Sequence, residues 1–312
     1  MKQRNKIWLI ILLAIIVYAL MGIYADSKKL VLAMKFFQWK YFFALLIFAT
    51  LNWIIRFLKW NFFLKKAGIY INLKDNLFVF FSGFSMAITP GKIGEIWKGW
   101  LIRDINGEEL SKSIPVIIVE RITDVFGLII LSFFGLLYYK KSIYLILILI
   151  FLFLSFIIII KSKTISNKII LKLETKISKY TENIKTMHET FEILMNSKGL
   201  MGISLLSAFG WFFECLGLYI IVIGFGEYIN ILLSMFIYSF ASLAGAASMI
   251  PGGLGITEGT ISGLLNFFGL STTTSIGAAI IVRFGTLWYG TITGLLVYFI
   301  FRKKIRKIRG LK

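Results

Sequence analysis

Residues 90–95 read Pro-Gly-Lys-Ile-Gly-Glu, and residues 251–258 read Pro-Gly-Gly-Leu-Gly-Ile-Thr-Glu. Each stretch interrupts a hydrophobic segment with a helix breaker, glycines and a carboxylate, which are all unfavourable at membrane depth. One arginine follows each stretch in the next apolar segment: Arg121 and Arg283 lie 31 and 32 residues after the respective prolines. Matching interruptions in two halves of a chain are typical of transporters whose binding site is built from broken helices at a repeat interface.

The composition is that of an integral membrane protein. Of the 312 residues, 58% are hydrophobic, whereas a soluble domain averages about 45–50% apolar residues. The formal net charge of +20 is expected to reflect cytoplasmic loops beside anionic lipid, so no nucleic-acid partner is predicted. The single Cys215 excludes a disulfide within one chain, and the single His188 leaves no His/Cys cluster. No metal or other cofactor is therefore predicted.

Six apolar segments are long enough to cross a bilayer core of about 30 Å as helices. They are residues 7–24, 41–64, 114–138, 143–160, 203–224 and 274–301. Two further segments, 77–101 and 231–268, are divided by their Pro-Gly motifs into half-helices, with the second halves predicted to begin near Ile93 and Leu254. The sequence thus predicts an all-α polytopic protein that forms a single membrane domain over residues 1–312.

The distribution of charge favours broken segments that turn back rather than cross. If both turn back and the N-terminus is cytoplasmic, the cytoplasmic stretches hold about 26 Lys and Arg residues and the outer stretches about 6. If the first one crosses, the loop 161–199 with its eight lysines moves to the face opposite the N-terminus, against the positive-inside rule. The prediction is a multi-pass protein of the cell membrane with both termini cytoplasmic; crossing remains the open alternative.

In this arrangement the two halves are inverted copies about 161 residues apart. Repeat one covers about 41–160 and repeat two about 203–301. One broken segment is then a re-entrant hairpin entered from the cytoplasm, and the other is entered from outside. Their glycine-rich tips are expected to meet near the bilayer midplane, which is the layout of alternating-access transporters.

Two polar segments flank the second repeat. Residues 161–199 have an amphipathic pattern, which predicts a cytoplasmic helix packed on the protein or on lipid, or a coiled-coil contact in a homodimer. Residues 302–312 form a basic tail that suits anionic headgroups.

Cationic groups are predicted to gather at the meeting tips and to bind a phosphate. Lys92, Arg121 and Arg283 would join two half-helix N-termini, which favour anions. Arginine adds a planar fork of donors that matches phosphate geometry.

Acidic residues are predicted to complete the site. Glu95 and Glu258 are expected to meet a cationic headgroup, a coupling ion or a proton. Asp124 lies one helical turn from Glu120 and Arg121, so these three form either a self-satisfied structural group or part of the site. Glu214 lies inside an apolar span and is a candidate proton or headgroup contact. The candidate motif and coupling residues are Pro90, Gly91, Gly94, Glu95, Glu120, Asp124, Glu214, Pro251, Gly252, Gly253, Gly255 and Glu258.

Near the cytoplasmic end of the second span, a basic and aromatic group has a simpler interpretation. Arg56 and Lys59 are expected to extend towards lipid headgroups, as long cationic side chains do near helix ends. Trp53 and Trp60 are expected to lie in the interfacial aromatic belt.

With the phrases PGKIGE, ERITD and PGGLGITEG, nearly the whole chain resembles the membrane domain of lysylphosphatidylglycerol synthases and the related flippase-like UPF0104 proteins. In two-domain members, the resemblance implies that this part moves an aminoacylated phospholipid while a soluble domain performs aminoacyl transfer. Synthase activity is not carried over, because this sequence has no segment resembling that domain. Arg56 matches a basic position of the family's second span, so the resemblance adds it to the headgroup-binding candidates. Archaeal relatives are linked to polyprenyl-phosphate sugar pathways, which leaves the lipid open.

Two main functions follow. The first is a lipid translocase that moves an anionic phospholipid, an aminoacyl-phospholipid or a polyprenyl-phosphate lipid, without ATP as direct energy source because no Walker-type loop occurs. No catalytic residue is assigned in that case. The alternative is a membrane-embedded lipid-modifying transferase, for example in polyprenyl-phosphate glycosyl transfer, with Glu95, Asp124 and Glu258 as base or metal ligands. A scaffolding subunit that uses the amphipathic segment is a third hypothesis.

Overall fold

The computed structural model describes residues 2–89, 94–137, 181–196 and 199–308. Outside these ranges lie the predicted span 143–160 and four residues of the first motif, Pro90, Gly91, Lys92 and Ile93.

The described residues form helices joined by turns. The helices are α1 (Lys2–Tyr24), α2 (Ser27–Phe36), α3 (Lys40–Lys66), α4 (Leu73–Phe84), α5 (Trp97–Asn106), α6 (Leu110–Leu137), α7 (Thr181–Met195), α8 (Leu200–Gly224), α9 (Ile231–Ala247), α10 (Ile256–Phe267), α11 (Thr272–Arg283) and α12 (Tyr289–Ile308). A π-helical turn, Phe284–Trp288, joins α11 to α12.

Several of these helices can span a bilayer, as predicted. In the described ranges, α3, α8 and the continuous helix Thr272–Arg302 are long and apolar enough by length and composition. Helix α6 has 28 residues but carries Glu120, Arg121 and Asp124 in its middle. Large apolar side chains such as Phe43 on α3 are exposed on the outside of the bundle, as lipid contact requires. The chain is an all-helical, multi-pass membrane protein.

Both segments that carry a Pro-Gly motif are interrupted. Helix α4 ends at Phe84 and α5 begins at Trp97, while α9 ends at Ala247 and α10 begins at Ile256. The second halves therefore begin a few residues later than the sequence predicts. The delay in the second break has a backbone cause: Pro251–Gly253 forms a 3-10 turn before α10 can start.

Glycine is required in the second break by the backbone itself. Gly252, Gly253 and Gly255 have φ angles of 62°, 65° and 83°, a left-handed region that other residues rarely adopt. This is why the second motif is richer in glycine than a simple kink would need.

Helices α9 and α10 pack against each other in opposite directions. Gly245, near the end of α9, contacts Thr257 near the start of α10. Phe236, earlier in α9, contacts Phe268 just after α10. A Cβ atom on Gly245 would lie 2.0 Å from Thr257 Oγ1, so only glycine allows the two helices this close.

Helices α3 and α8 form a central antiparallel pair. Contacts join rising residue numbers in α3 to falling numbers in α8: Leu45 with Gly217, Asn52 with Gly210, and Lys59 with Ser207. At the crossing point, Asn52 Nδ2 donates a hydrogen bond to Gly210 O at 3.0 Å. These two residues are 158 positions apart in the chain.

Two other helix pairs hold the helices that lead into the breaks. Helix α4 packs on α12, where the rings of Phe78 and Tyr298 lie 6.5 Å apart. Helix α9 packs on α6, where a Cβ on Gly135 would lie 2.6 Å from Phe236 Cβ. Phe236 follows Phe78 by 158 residues, which is the separation found at the crossing of α3 and α8. Helix α4, which leads into the first break, is thus held by α12, and helix α9, which leads into the second, is held by α6.

Candidate functional site

The two breaks meet at one cavity of about 250 Å³ inside the helical bundle. The break residues that line it are Ala87, Thr89, Ile250, Gly252 and Gly253. The two tips are in contact, because a Cβ on Gly252 would lie 3.7 Å from Ile88 Cα. The sequence predicted this meeting of the tips. Arg121 and Arg283 line the same cavity.

In each half, the carboxylate of the motif pairs with the arginine that follows it. Arg121 Nη2 lies 2.7 Å from Glu95 Oε2, and Arg283 Nε donates to Glu258 Oε1 at 2.8 Å. Both carboxylates are buried. The sequence analysis expected them to meet a cationic headgroup, an ion or a proton; in this structure, the protein's own arginines occupy that place.

Glu258 also connects its arginine to the second break. The carboxylate accepts a hydrogen bond from Gly255 N at 2.8 Å, which caps the start of α10. Arg283 Nη2 donates to the carbonyl oxygen of Gly252 at the tip. The arginine therefore bridges the helix that carries it and both sides of the break.

Helix α1 contributes a residue that the sequence analysis missed. Tyr18 Oη donates to Glu258 Oε1 at 3.4 Å and accepts from Trp288 Nε1 at 2.8 Å. Trp288 ends the π-helical turn that begins directly after Arg283, and such turns occur often at functional sites. A tyrosine in an apolar span gives no sequence signal of such a contact.

The first half holds a larger ion-pair cluster. Four cations and three carboxylates are joined by N–O distances of up to 3.9 Å: Arg56, Lys59, Lys98 and Arg121 with Glu95, Glu120 and Asp124. The predicted group of Glu120, Arg121 and Asp124 is present, with Arg121 Nη1 at 3.2 Å from Asp124 Oδ2. It is part of this cluster rather than a group that satisfies itself.

The expectation that Lys59 extends towards headgroups is wrong. Its side chain is completely buried, and its Nζ contacts Asp124, Ser207 Oγ at 2.8 Å and Glu120 O at 3.3 Å. The physical reason is that a buried carboxylate without a countercharge is strongly unfavourable, so Asp124 draws the ammonium group inwards.

Arg56 also turns inwards rather than towards the membrane surface. Its Nη2 lies 3.5 Å from Glu120 Oε1, and its guanidinium carbon lies 5.5 Å and 5.8 Å from the rings of Phe84 and Trp211. These contacts fix a cation in the wall of the cavity. Arg56 therefore lies at the site, as the family resemblance implies.

Lys98 was not predicted as a site residue. Its Nζ lies 2.7 Å from Glu120 Oε2 and 3.6 Å from Glu95 Oε2, and 4.1 Å from the ring centroid of Trp60. Trp60 is fully buried, so its expected place in an interfacial belt is wrong. One signal was available: Lys98 follows Glu95 by three residues, which places both on one face of a helix.

A second pair of matching positions lines the cavity. Trp53 and Trp211 are 158 residues apart, and Arg56 and Glu214 follow them by three residues each. Trp53 is buried rather than interfacial. Glu214 accepts a hydrogen bond from Tyr238 Oη. The repeated spacing, Trp-x-x-Arg and Trp-x-x-Glu, is a signal that could have found both tryptophans.

The remaining motif residues shape the breaks. Gly94 N donates to Thr89 Oγ1 at 2.9 Å, which closes the described part of the first break. Pro251 begins the 3-10 turn of the second break. Pro90, Gly91 and Lys92 lie outside the described residues, so the phosphate-binding role of Lys92 stays a prediction.

Comparison with protein families supports the resemblance seen in the motifs. The lysylphosphatidylglycerol synthase transmembrane region matches residues 10–294. The chain belongs to this family. The matched range contains both breaks, both arginines and the complete first-half cluster.

Three UPF0104 membrane proteins are similar to this chain. A UPF0104 membrane protein of Methanocaldococcus jannaschii is 25% identical over 238 residues, which cover 72% of this chain and 97% of that protein. One from Methanothermobacter thermautotrophicus is 26% identical over 265 residues, 78% of each chain. One from Pyrococcus horikoshii is 26% identical over 277 residues, which cover 79% of this chain and 82% of that protein.

Proposed function

We propose that this protein is a lipid translocase of the cell membrane, which moves a lipid with an anionic phosphate headgroup. Anionic phospholipids, aminoacyl-phospholipids and polyprenyl-phosphate lipids all carry such a group. One observation carries the proposal: Arg121 and Arg283, at matching places in the two halves, line one cavity where the two broken segments touch.

The size of the cavity suits a headgroup and not a whole lipid. Its volume of about 250 Å³ lies just below the range of pockets that enclose drug-sized ligands. The apolar chains would stay outside in the bilayer, where they are already favourably solvated. Only the charged part of a lipid needs shelter from hydrocarbon during translocation.

The arginines retain donors for a phosphate although they are paired with carboxylates. A guanidinium group has five N–H donors. In the described part of the chain, Nε of Arg56 and Nε of Arg121 have no hydrogen-bond partner, and both residues line the cavity. A phosphate would therefore add to the existing pairs, with charge-assisted hydrogen bonds.

An inverted repeat would give this site access to both leaflets in turn. The antiparallel crossing of α3 and α8 at Asn52 and Gly210 supports it, since a two-fold relation places equivalent residues against each other on its axis. For the second broken segment, Ser271 Oγ donates to Glu227 Oε1 at 2.7 Å. This bond joins the outer ends of α9 and α10 and supports a re-entrant hairpin. Rocking of one half against the other would then open the site alternately.

The decisive test is lipid movement in proteoliposomes. Vesicles contain fluorescently labelled phosphatidylglycerol, and an impermeant reductant bleaches the outer leaflet. We expect the Arg121→Gln/Arg283→Gln variant to lower movement to the protein-free rate, because both phosphate-binding groups are removed. Lys112→Gln is the control, since Lys112 forms a partly exposed pair with Glu108, and neither residue lines the cavity.

Normal movement by a folded double variant would disprove the roles of the arginines. Mass spectrometry of the vesicle lipids separates the proposal from the transferase alternative. A translocase leaves the lipid chemically unchanged, whereas a new lipid product would favour the transferase.

A further inference from the structure

We propose that Lys59 and Lys98 are positioning residues that determine which headgroup charge the cavity prefers. With both lysines in place, the cavity prefers a phosphate ester with one negative charge over one with two. The inference rests on the proposed function, because it concerns the ligand of the same cavity. Neither lysine is among the residues that line the cavity, and both side chains are buried.

Each lysine neutralises one carboxylate of α6. Lys59 bonds Asp124, and Lys98 Nζ donates to Glu120 Oε2 at 2.7 Å. In front of these two pairs, Arg56 and Arg121 line the cavity. Arg121 pairs with the remaining carboxylate of the cluster, Glu95, at 2.7 Å, and Arg56 lies 3.5 Å from Glu120. Without the lysines, the three carboxylates would outnumber the two arginines.

The charge of the described cluster follows from its members. Four cations stand against three carboxylates, which leaves one positive charge in excess. A buried charge without a partner is unfavourable, so the surplus favours binding of one negative charge. Glu214 lines the same cavity; its negative charge acts against every anion, and twice as strongly against one that carries two charges.

Two arginines of the cavity wall each keep one N–H donor without a partner among the described residues. Arg56 has a side chain that is only 8% exposed, and its Nε has no hydrogen-bond partner in the described ranges. Nε of Arg121 is likewise unpartnered there. Guanidinium groups with unused donors suit a phosphate, which accepts several charge-assisted hydrogen bonds.

Binding rather than transport tests the inference. Purified full-length protein in detergent is given an equal mixture of phosphatidylglycerol and phosphatidic acid with the same acyl chains, at pH 8. The first is a phosphodiester with one charge, and the second is a monoester that approaches two, because its second pKa is about 6. Native mass spectrometry then measures the ratio of the two bound lipids.

Each substitution removes one charge from the cluster and so changes its net charge by one. Wild type is expected to favour phosphatidylglycerol. Glu120→Gln raises the surplus to two and should shift the ratio towards phosphatidic acid by about tenfold, the worth of one charged hydrogen bond. Lys98→Met/Glu120→Gln returns the surplus to one and should restore the wild-type ratio. A purely structural role would change the unfolding temperature and leave the ratio as it is.

The control applies the same chemical changes to an exposed ion pair. Lys112→Met/Glu108→Gln removes a pair on the surface and should leave the ratio unchanged. If Glu120→Gln does not fold, Asp124→Asn makes the same change of charge at the other lysine pair and should give the same shift. An unchanged ratio in a folded Glu120→Gln or Asp124→Asn variant overturns the inference.

The two proposals fail separately. If the wild-type protein moves lipid but the ratio of bound phosphatidylglycerol to phosphatidic acid does not change with the charge of the cluster, the translocase proposal stands and the inferred charge preference is wrong. If the ratio of the bound lipids changes with the charge of the cluster but no lipid moves, the charge preference stands and the translocase proposal is wrong.

Discussion

Replacement of Glu258 by glutamine is expected to destabilise the protein more than the same change at Glu95. Arg283 has Glu258 as its single carboxylate partner within 4.0 Å among the described residues. Arg121 would keep two others after the loss of Glu95, namely Glu120 and Asp124. The two motifs have matching sequences, yet their carboxylates are expected to contribute differently to the stability of the fold.

The magnitudes follow from these partners. Glu258 is fully buried, and removal of one member of a buried ion pair costs about 3–5 kcal/mol because the other charge is left alone. For Glu95, the loss of one charged hydrogen bond costs about 1.5–3 kcal/mol. An unfolding entropy of about 2.1 cal/mol/K per residue means that 1 kcal/mol lowers the unfolding temperature of this 312-residue chain by about 1.5 °C. Glu258→Gln should therefore lower it by about 5–8 °C.

The assay is thermal unfolding in detergent, followed by tryptophan fluorescence. Glu108→Gln is the control, because Glu108 and Lys112 form a partly exposed pair one helical turn apart, and such helix pairs contribute about 1 kcal/mol or less. Arg283→Met/Glu258→Gln should recover part of the lost stability, because neither charge is then left unpaired. A decrease for Glu95→Gln that equals or exceeds the decrease for Glu258→Gln would refute the reasoning.

Three further predictions concern packing, the link to α1 and the orientation of the halves. Gly245→Ala should lower the free energy of unfolding by about 1–3 kcal/mol, because the added methyl group overpacks α9 against α10. Gly259→Ala is the control, since its added methyl group would meet nothing within 4 Å and should leave stability unchanged or raise it. Equal effects of the two changes in unfolding measurements would contradict the close contact. Tyr18→Phe should cost about 0.5–1.5 kcal/mol, because the N–H of the half-buried Trp288 loses its acceptor, and an unchanged unfolding temperature would argue against this network. In a chain without its native cysteine, Lys74→Cys and Tyr228→Cys, both exposed, should react with an impermeant maleimide from opposite faces of the membrane; labelling from one face would exclude the inverted repeat.

Much of the architecture could be predicted from local sequence. Hydropathy over stretches of about 20 residues predicts spans, and α3, α8 and the helix formed by α11 and α12 confirm them. The two Pro-Gly motifs predicted both breaks, since a missing N–H and positive φ angles act on the backbone at the residue concerned. The equal spacing from motif to arginine predicted that Arg121 and Arg283 would line one cavity, which they do.

The composition of the first-half cluster could not be predicted in the same way. Lys59 meets Asp124 across 65 residues of chain, and Tyr18 meets Glu258 across 240. A hydropathy profile depends only on residues that are adjacent in sequence. It therefore predicts that a lysine near the end of a span extends to the headgroups, even where a neighbouring helix places a carboxylate beside it.

The sequence by itself determined that this is a multi-pass helical protein, where its helices break, and which family it belongs to. Only the tertiary structure decided which charges are paired, and that the described ion-pair cluster of the first half has one cation more than it has carboxylates. The physical reason is that breaks and spans depend on neighbours along the chain, whereas the charge state of a buried site depends on groups that helix packing brings together from distant parts of it.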